Sequence, residues 1–406
     1  MNSFLSSKKS EVSLEIVLDI GSKSVGGAIF EKSGMGKPNI LYTAREPIAF
    51  QKVLTGESLL TAMLRACELV LVHLEKYGIS HLSGVTKSRY RVASVAAIVS
   101  SPWHISDTKV LKLTQEKPSV ITKLLVQSLI DAEEKEFEAA VGATPKKSNK
   151  SPGVLEKKII EMRLNGYPTS NPYGKSARTL ELLLFASVAT AQTLEKIQSA
   201  AHAHFPEAHF EFHTFSLAAF AAIRDTFKDC EQFITVQAGG EVTDITIVKK
   251  GVIVETISFP LGHNTLLCLL DTLCIGHPNC TLEGLIALYL EKKGTSEDRN
   301  KVERAILQTK ASWLELFNGA LSNFSAESFL PKSVFLFEDA LCAPLFEDFL
   351  KAADSGQFTV TAEPFAVTVV DLPFGEIFAD YASNSIPDAA LSVEASFLAH
   401  LVKSDF

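Results

Sequence analysis

Three things are scarce in this chain. There is no basic surplus: 39 Lys and Arg stand against 47 Asp and Glu, giving a formal charge of −8 and a pI near 5.8. A reader of phosphate backbones needs a basic surface from which counterions are released, so a nucleic-acid partner is not expected. Long apolar runs are missing too. None approaches the roughly 18 residues of a membrane span, and Met1 to Lys9 lacks the apolar core of a secretion signal, so the expected address is the cytoplasm. Cysteine is thinly spread. Cys67, Cys230, Cys268, Cys274, Cys280 and Cys342 form no CxxC pair, the pattern of reduced structural thiols. Three of them share CLLDTLCIGHPNC with His277. The irregular spacing favours a helix end with buried thiols, with a zinc site as the alternative.

What is present is an ordinary globular composition, 46% hydrophobic and 21% charged, in 406 residues. That is too long for one core, so two halves with an insertion are expected. Two stretches organise the rest: LEIVLDIGSKSVGGAIF, Leu14 to Phe30, and FITVQAGGEVTDITIV, Phe233 to Val248. Each is an apolar, β-branched run ending in one polar residue, Asp19 or Gln237, then a glycine turn, then a second β-rich run. Two such hairpins facing across a cleft offer free backbone N–H groups to one anionic ligand, for which a nucleotide phosphate is the natural candidate.

Taken in order, the first hairpin is followed by a strand, ILYTAREPIAF, and by an amphipathic helix from Leu59 to Tyr77. A continuous apolar strand, Tyr90 to Ser100, reads as central in a sheet. Ser101 and His104, in SPWHIS, lack the third partner of a triad and read as a loop leaving the core. A strand at Lys109 to Lys117, a helix at Ser119 to Ala140 and strands at Leu155 to Asn165 and Ala177 to Ala186 form a unit that looks inserted. Two decoys mimic phosphate loops: Gly34, Gly36 and Lys37 have the wrong spacing, and Gly174, Lys175 and Ser176 have Thr169 where glycine is required. Thr190 to His204 is a helix, and SLAAFAAIRDTF is a buried helix that Ser216 can cap. Beyond the second hairpin come a third strand, helices over Thr265 to Ala326, a strand at SVFLF, a helix, more β-structure at Thr359 to Leu372 and a last helix from Asp388 to Val402. Strand trios that each run into helices, twice over, predict a duplicated α/β fold with one insertion.

In this order and context the motifs resemble those of the actin-like ATPase superfamily, which has a duplicated, ribonuclease H-like fold around a nucleotide cleft. DIGSKSVGGAIF resembles its first phosphate motif, QAGGEVTDITIV the second, and SFPLGHNTL the strand and helix start that follow. The strand-helix-strand-strand insertion is similar to that of the cell-division FtsA branch, with the pilus-assembly PilM branch close behind. The resemblance implies segments 10–106 and 189–228 as the first half, 107–188 as the inserted subdomain, 229–384 as the second half, and 385–406 as a helix returning to the first. It also implies ATP with Mg²⁺. Asp19 would hold the metal through water, and Gly21, Ser22, Lys23 and Ser24 would meet the β- and γ-phosphates. Gly239, Gly240, Glu241 and Thr243 would close from the other side, and Asp19 and Gln237 would be the catalytic candidates.

The chain departs from that pattern in three places. Gln237 stands where Asp begins the second motif, and an amide is a poor indirect ligand for Mg²⁺ and no base. Phe337, Glu338, Asp339 and Ala340 stand where a Gly-Gly pair should admit the adenosine, and His263 follows Gly262 where a second glycine is common. A degenerate ATPase, with reduced ATP affinity and little hydrolysis, is therefore expected. FLAHLVKSDF supplies no basic amphipathic helix for a membrane, so no direct anchor is expected. The implied function is an FtsA-like assembly or adaptor protein that self-assembles or binds a tubulin-like division protein. The alternatives are a PilM-like platform for pilus inner-membrane proteins and a sugar-kinase-like phosphotransferase.

Overall fold

Strand β1 (Glu11–Ile20) turns back into β2 (Ser24–Glu31), and β3 (Asn39–Pro47) completes an antiparallel trio. Helix α1 (Gly56–His73) starts at a reciprocal cap between Thr55 and Ser58 and continues into a π-helical turn, Leu74–Ile79. Its Leu60, Met63, Cys67, Val70 and Leu71 recur every three or four residues and lie buried on the sheet. Strand β4 (Arg89–Val99) then runs parallel to β1. The computed structural model describes residues 11–401 apart from 35, 50–54, 81, 83–88, 143–151, 275–280, 294, 326–328, 360–362 and 384.

The inserted unit comprises β5 (His104–Val120), α2 (Lys123–Gly142), β6 (Pro152–Leu164), the short β7 (Tyr167–Pro168) and β8 (Ser176–Thr190). Its sheet order is β5-β8-β6-β7, and Val126 and Ile130 of α2 cover one face. The helix expected from Ser119 begins only at Lys123. Ser119 and Val120 instead extend β5 opposite Ala177 and Ser176, past a register shift, and the Thr122 hydroxyl receives the Leu125 N–H.

The chain returns through α3 (Ala191–His204) to β9 (His209–Thr214) and α4 (Phe215–Thr226). Thr214, not Ser216, caps α4: it has extended backbone and accepts the Leu217 N–H, while Ser216 already lies inside the first turn. The second hairpin is β10 (Phe233–Ala238) and β11 (Thr243–Lys249), extended by β12 (Val252–Phe259). Helices α5 (His263–Cys274), α6 (Leu282–Leu290) and α7 (Ser296–Ser325) follow. The remaining elements are β13 (Ser333–Phe337), α8 (Ala343–Lys351), β14 (Ala366–Val369), α9 (Leu372–Gly375), β15 (Asp380–Tyr381) and α10 (Ala389–His400).

One sheet runs β15-β3-β2-β1-β4-β9 and the other β12-β11-β10-β13-β14. Within each, the strand that opens the half pairs antiparallel with its successor and parallel with a later strand. This repeat is the duplication. Helices α1 and α3 cover the outer face of the first sheet, and α5 to α8 that of the second. Between the sheets lies a shared core. Val17, Phe30 and Ile98 from one side and Phe233, Phe335 and Phe337 from the other close on α4 and α10.

Glu156 of β6 fastens the insertion to this frame. Its carboxylate accepts from His213 Nδ1 at 2.7 Å, from the Thr214 N–H at 3.1 Å and from the Thr214 hydroxyl at 3.0 Å. Burial alone would depress the imidazole, but the hydrogen bonds and charges of Glu156 and Glu211 outweigh it and raise His213 to about 9.

Candidate functional site

The two hairpin turns meet at the mouth of the shared core. In the first, the Gly21 N–H donates to the Ser24 carbonyl at 3.2 Å, and the Trp103 indole donates to the Gly21 carbonyl at 2.8 Å. Across from it, Gly240 rests directly on the first turn. A Cβ there would lie 2.9 Å from the carbonyl carbon and oxygen of Ser22, so only glycine permits this approach. The Glu241 N–H donates to Ser22 Oγ at 3.2 Å. Beside the contact is a cavity of about 300 Å³, with a polar wall that includes Asp19, Lys23, Asp244 and Glu338 and an apolar one that includes Phe215 and Val370.

Asp19, Gly21, Ser22, Lys23, Ser24, Gln237 and Gly239 all line this cavity. Gly240 and Glu241 sit at the contact between the turns, with the Glu241 carboxylate receiving the Asn264 amide at 2.7 Å. Thr243 does not face the cleft. Its buried hydroxyl donates to the Leu261 carbonyl at 2.7 Å and accepts from the Trp313 indole at 3.1 Å, because the strand's alternation turns that position into the second core.

Two cations of the protein itself occupy the cleft. The Lys23 ammonium bonds both Glu338 and Asp339. Burial would lower it, but the two carboxylates hold it charged above its ordinary range. Burial raises Glu338 to about 7 in spite of Lys23, while Lys23 outweighs burial at Asp339 and lowers it. The second cation, Arg45, bonds Asp19 at 2.8 Å, Asp388 at 2.6 Å and the Ser24 hydroxyl at 2.9 Å. Gly26, opposite Asp19 in the β1–β2 register, leaves room for the guanidinium. Burial raises Asp19 against the pull of Arg45, whereas Arg45 prevails at Asp388 and lowers it.

In the second hairpin Gln237 donates to Ser100 Oγ at 3.0 Å. Directly opposite it in the register stands Asp244, whose carboxylate accepts from the Ser101 hydroxyl at 2.7 Å, the Ser101 N–H at 3.3 Å and the Ser258 hydroxyl. Ser101 is thus bonded to Asp244. His263 and Asn264 begin α5 with their N–H groups on the carbonyls of Gly239 and Gly240, at 2.9 and 2.8 Å. Of the cysteine cluster, Cys268 is an exposed free thiol, and His277, Cys280 and the Cys274 side chain lie outside the described residues.

Reasoning from sequence overlooked Arg45, Asp244, Asp388 and the positive meaning of Glu338 and Asp339. The one available signal was a pair of acids replacing glycines in a cleft that also holds a lysine.

These residues do not fit a nucleotide triphosphate with Mg²⁺. The ammonium that would meet phosphate is bonded to two carboxylates, the carboxylate that would hold hydrated metal is bonded to Arg45, and the first amides of α5 are spent on the second turn. Six acids, Asp19, Asp244, Glu338, Asp339, Asp371 and Asp388, line the cavity against two cations, Lys23 and Arg45, a field that repels an anion.

The paired sheets, the cleft between their first hairpins and the unit inserted after β4 define an actin-like ATPase fold. No family model matches the sequence, and no curated protein sequence does. Among solved structures the chain is similar to the PilM-PilN type IV pilus biogenesis complex, at 11% identity over 95% of this chain and 96% of that one, with a TM-score of 0.57. Also similar are the ethanolamine utilization protein EutJ from Carboxydothermus hydrogenoformans (11%, 95% and 89%, 0.42) and a Bacteroides thetaiotaomicron protein with an actin-like ATPase fold (11%, 98% and 99%, 0.36). No helix among the described residues is long and apolar enough to cross a membrane.

Proposed function

We propose that this chain is an actin-fold adaptor that binds protein partners and has given up nucleotide turnover. The observation that carries the reading is the Lys23 bridge to Glu338 and Asp339: an internal cation holds the two halves together where ATP and Mg²⁺ would otherwise do so. A phosphotransferase reading is disfavoured because both carboxylates of the second hairpin are engaged, Asp244 with two serine hydroxyls and Glu241 with the Asn264 amide.

Calorimetry with ATP and Mg²⁺ is expected to show no binding at micromolar concentrations. A micromolar or tighter constant, or steady phosphate release abolished by Asp19→Ala, overturns this reading. For partners, the likeness to a chain of a pilus biogenesis complex supports a PilM-like platform for pilus inner-membrane proteins, and the resemblance of the motifs supports an FtsA-like adaptor as the second reading. Affinity capture followed by mass spectrometry separates them. Pilus inner-membrane components support the first, and the tubulin-like division protein supports the second.

A further inference from the structure

We propose that His263, Glu338 and Asp339 form a binding site for a divalent transition-metal ion, Zn²⁺ or a first-row neighbour, which competes with the Lys23 ammonium for the same two carboxylates. One donor atom from each of the three residues lies within 4.8 Å of the others. His263 Nδ1 is 3.8 Å from Glu338 Oε1 and 3.9 Å from Asp339 Oδ2. Ligands of a tetrahedral ion with bonds of ~2.1 Å stand about 3.4 Å apart, so shifts of a few tenths of an ångström close the set.

Two buried atoms at this point lack partners among the described residues. His263 is 4% exposed and its Nδ1 faces the acids without a hydrogen bond; the Glu338 side chain is fully buried and its Oε2 is likewise unpartnered. An orphaned donor or acceptor in the interior is costly, and an ion held by Nδ1 and Glu338 Oε1 gives the imidazole its missing partner.

Charge also favours the exchange. One ammonium leaves one of the two carboxylates unmatched, whereas a divalent ion balances both. An imidazole with two carboxylates suits Zn²⁺, Mn²⁺, Fe²⁺ or Co²⁺ rather than Mg²⁺, which prefers oxygen and its own water. The main chain that carries the ring is held in place, since the His263 N–H is fixed on the Gly239 carbonyl at 2.9 Å. The Lys23 side chain is 27% exposed and borders the cavity, so it has somewhere to go when displaced. This site does not depend on the adaptor reading.

The test uses the full chain, stripped with chelator, in a Cys268→Ser, Cys274→Ser, Cys280→Ser background so that the cluster contributes no thiolate ligand. Zn²⁺ and Co²⁺ are titrated by calorimetry and visible absorption. One ion per chain is expected, with a micromolar or tighter constant. His263→Ala and Asp339→Asn should each weaken it at least ~10-fold, and Lys23→Met should tighten it ~10-fold by removing the competing cation. Asp339→Asn keeps the shape of a side chain that is 38% exposed, which guards against a fold that simply fails. Absence of binding at ~100 μM metal, about −5.5 kcal/mol, overturns the proposal, as does binding that His263→Ala and Asp339→Asn leave unchanged.

Discussion

Replacing Glu156 by Gln isolates what fastens the inserted unit to the rest of the molecule. Glu156 is 7% exposed and His213 is 9% exposed, so water replaces little of what is lost. His213 rises to about 9 in the folded protein from its ordinary 6.5. A group whose folded pKa is raised contributes stability that is complete below the unfolded value and lost as pH climbs through the folded one. That rise, which Glu156 and Glu211 cause together, is worth at most roughly 3 kcal/mol at pH 6 and little by pH 10. The two hydrogen bonds from Thr214 both end on Oε2, so the amide oxygen of Gln placed there keeps them, and the loss falls on the contact with His213 alone. Urea unfolding followed by circular dichroism should therefore place Glu156→Gln up to about 3 kcal/mol below the parent at pH 6 and close to it at pH 10. Hydrogen exchange at pH 6 should locate the weakness in β6 and at the start of α4. An offset equal at the two pH values would refute the argument, because it would mean that the imidazolium contributes nothing.

Gly240→Ala should cost about 2–4 kcal/mol, since its Cβ meets backbone of Ser22 that cannot move aside, whereas Gly319→Ala in α7, with open space around it, should be neutral or stabilising by up to ~1 kcal/mol; thermal melts compare the two. Arg45→Met strands the acids Asp19 and Asp388 and should cost about 3 kcal/mol, with exchange rising first in α10, whose N-cap is Asp388. Calorimetry with ATP, described above, should be silent in the parent protein.

The strands and helices were legible because period and turn chemistry are local. Asp19 and Gln237 lie near the ends of the strands that open the two sheets, and the unbroken apolar runs before them report strands buried on both faces. The boundary at Ser119 was misplaced because a register shift between Thr114 and Ser119 lets β5 run on, and such a shift depends on β8 some sixty positions further along the chain. The ionic contents of the cleft were not legible. Lys23 meets Glu338 and Asp339 across more than three hundred positions, and nothing local distinguishes a lysine that awaits phosphate from one that already has two carboxylates. Glu338 and Asp339 were visible only as missing glycines, and their partner followed only once the fold brought β13 beside β10. Asp244 was hidden in another way: it lies seven positions after Gln237, and only the hairpin register sets the two side by side.

The place of α10 has a consequence for the order in which the molecule is made. Strands β1, β2 and β4 leave the ribosome early, yet the inner face they present, with Val17, Phe30 and Ile98, is closed by Leu391, Val393 and Leu398 of the last helix as well as by α4. Strand β15, paired with β3, arrives equally late. The second sheet has all its strands by Val369. The half that is synthesised first is thus the half that finishes last, its inner apolar face staying open until α10 arrives.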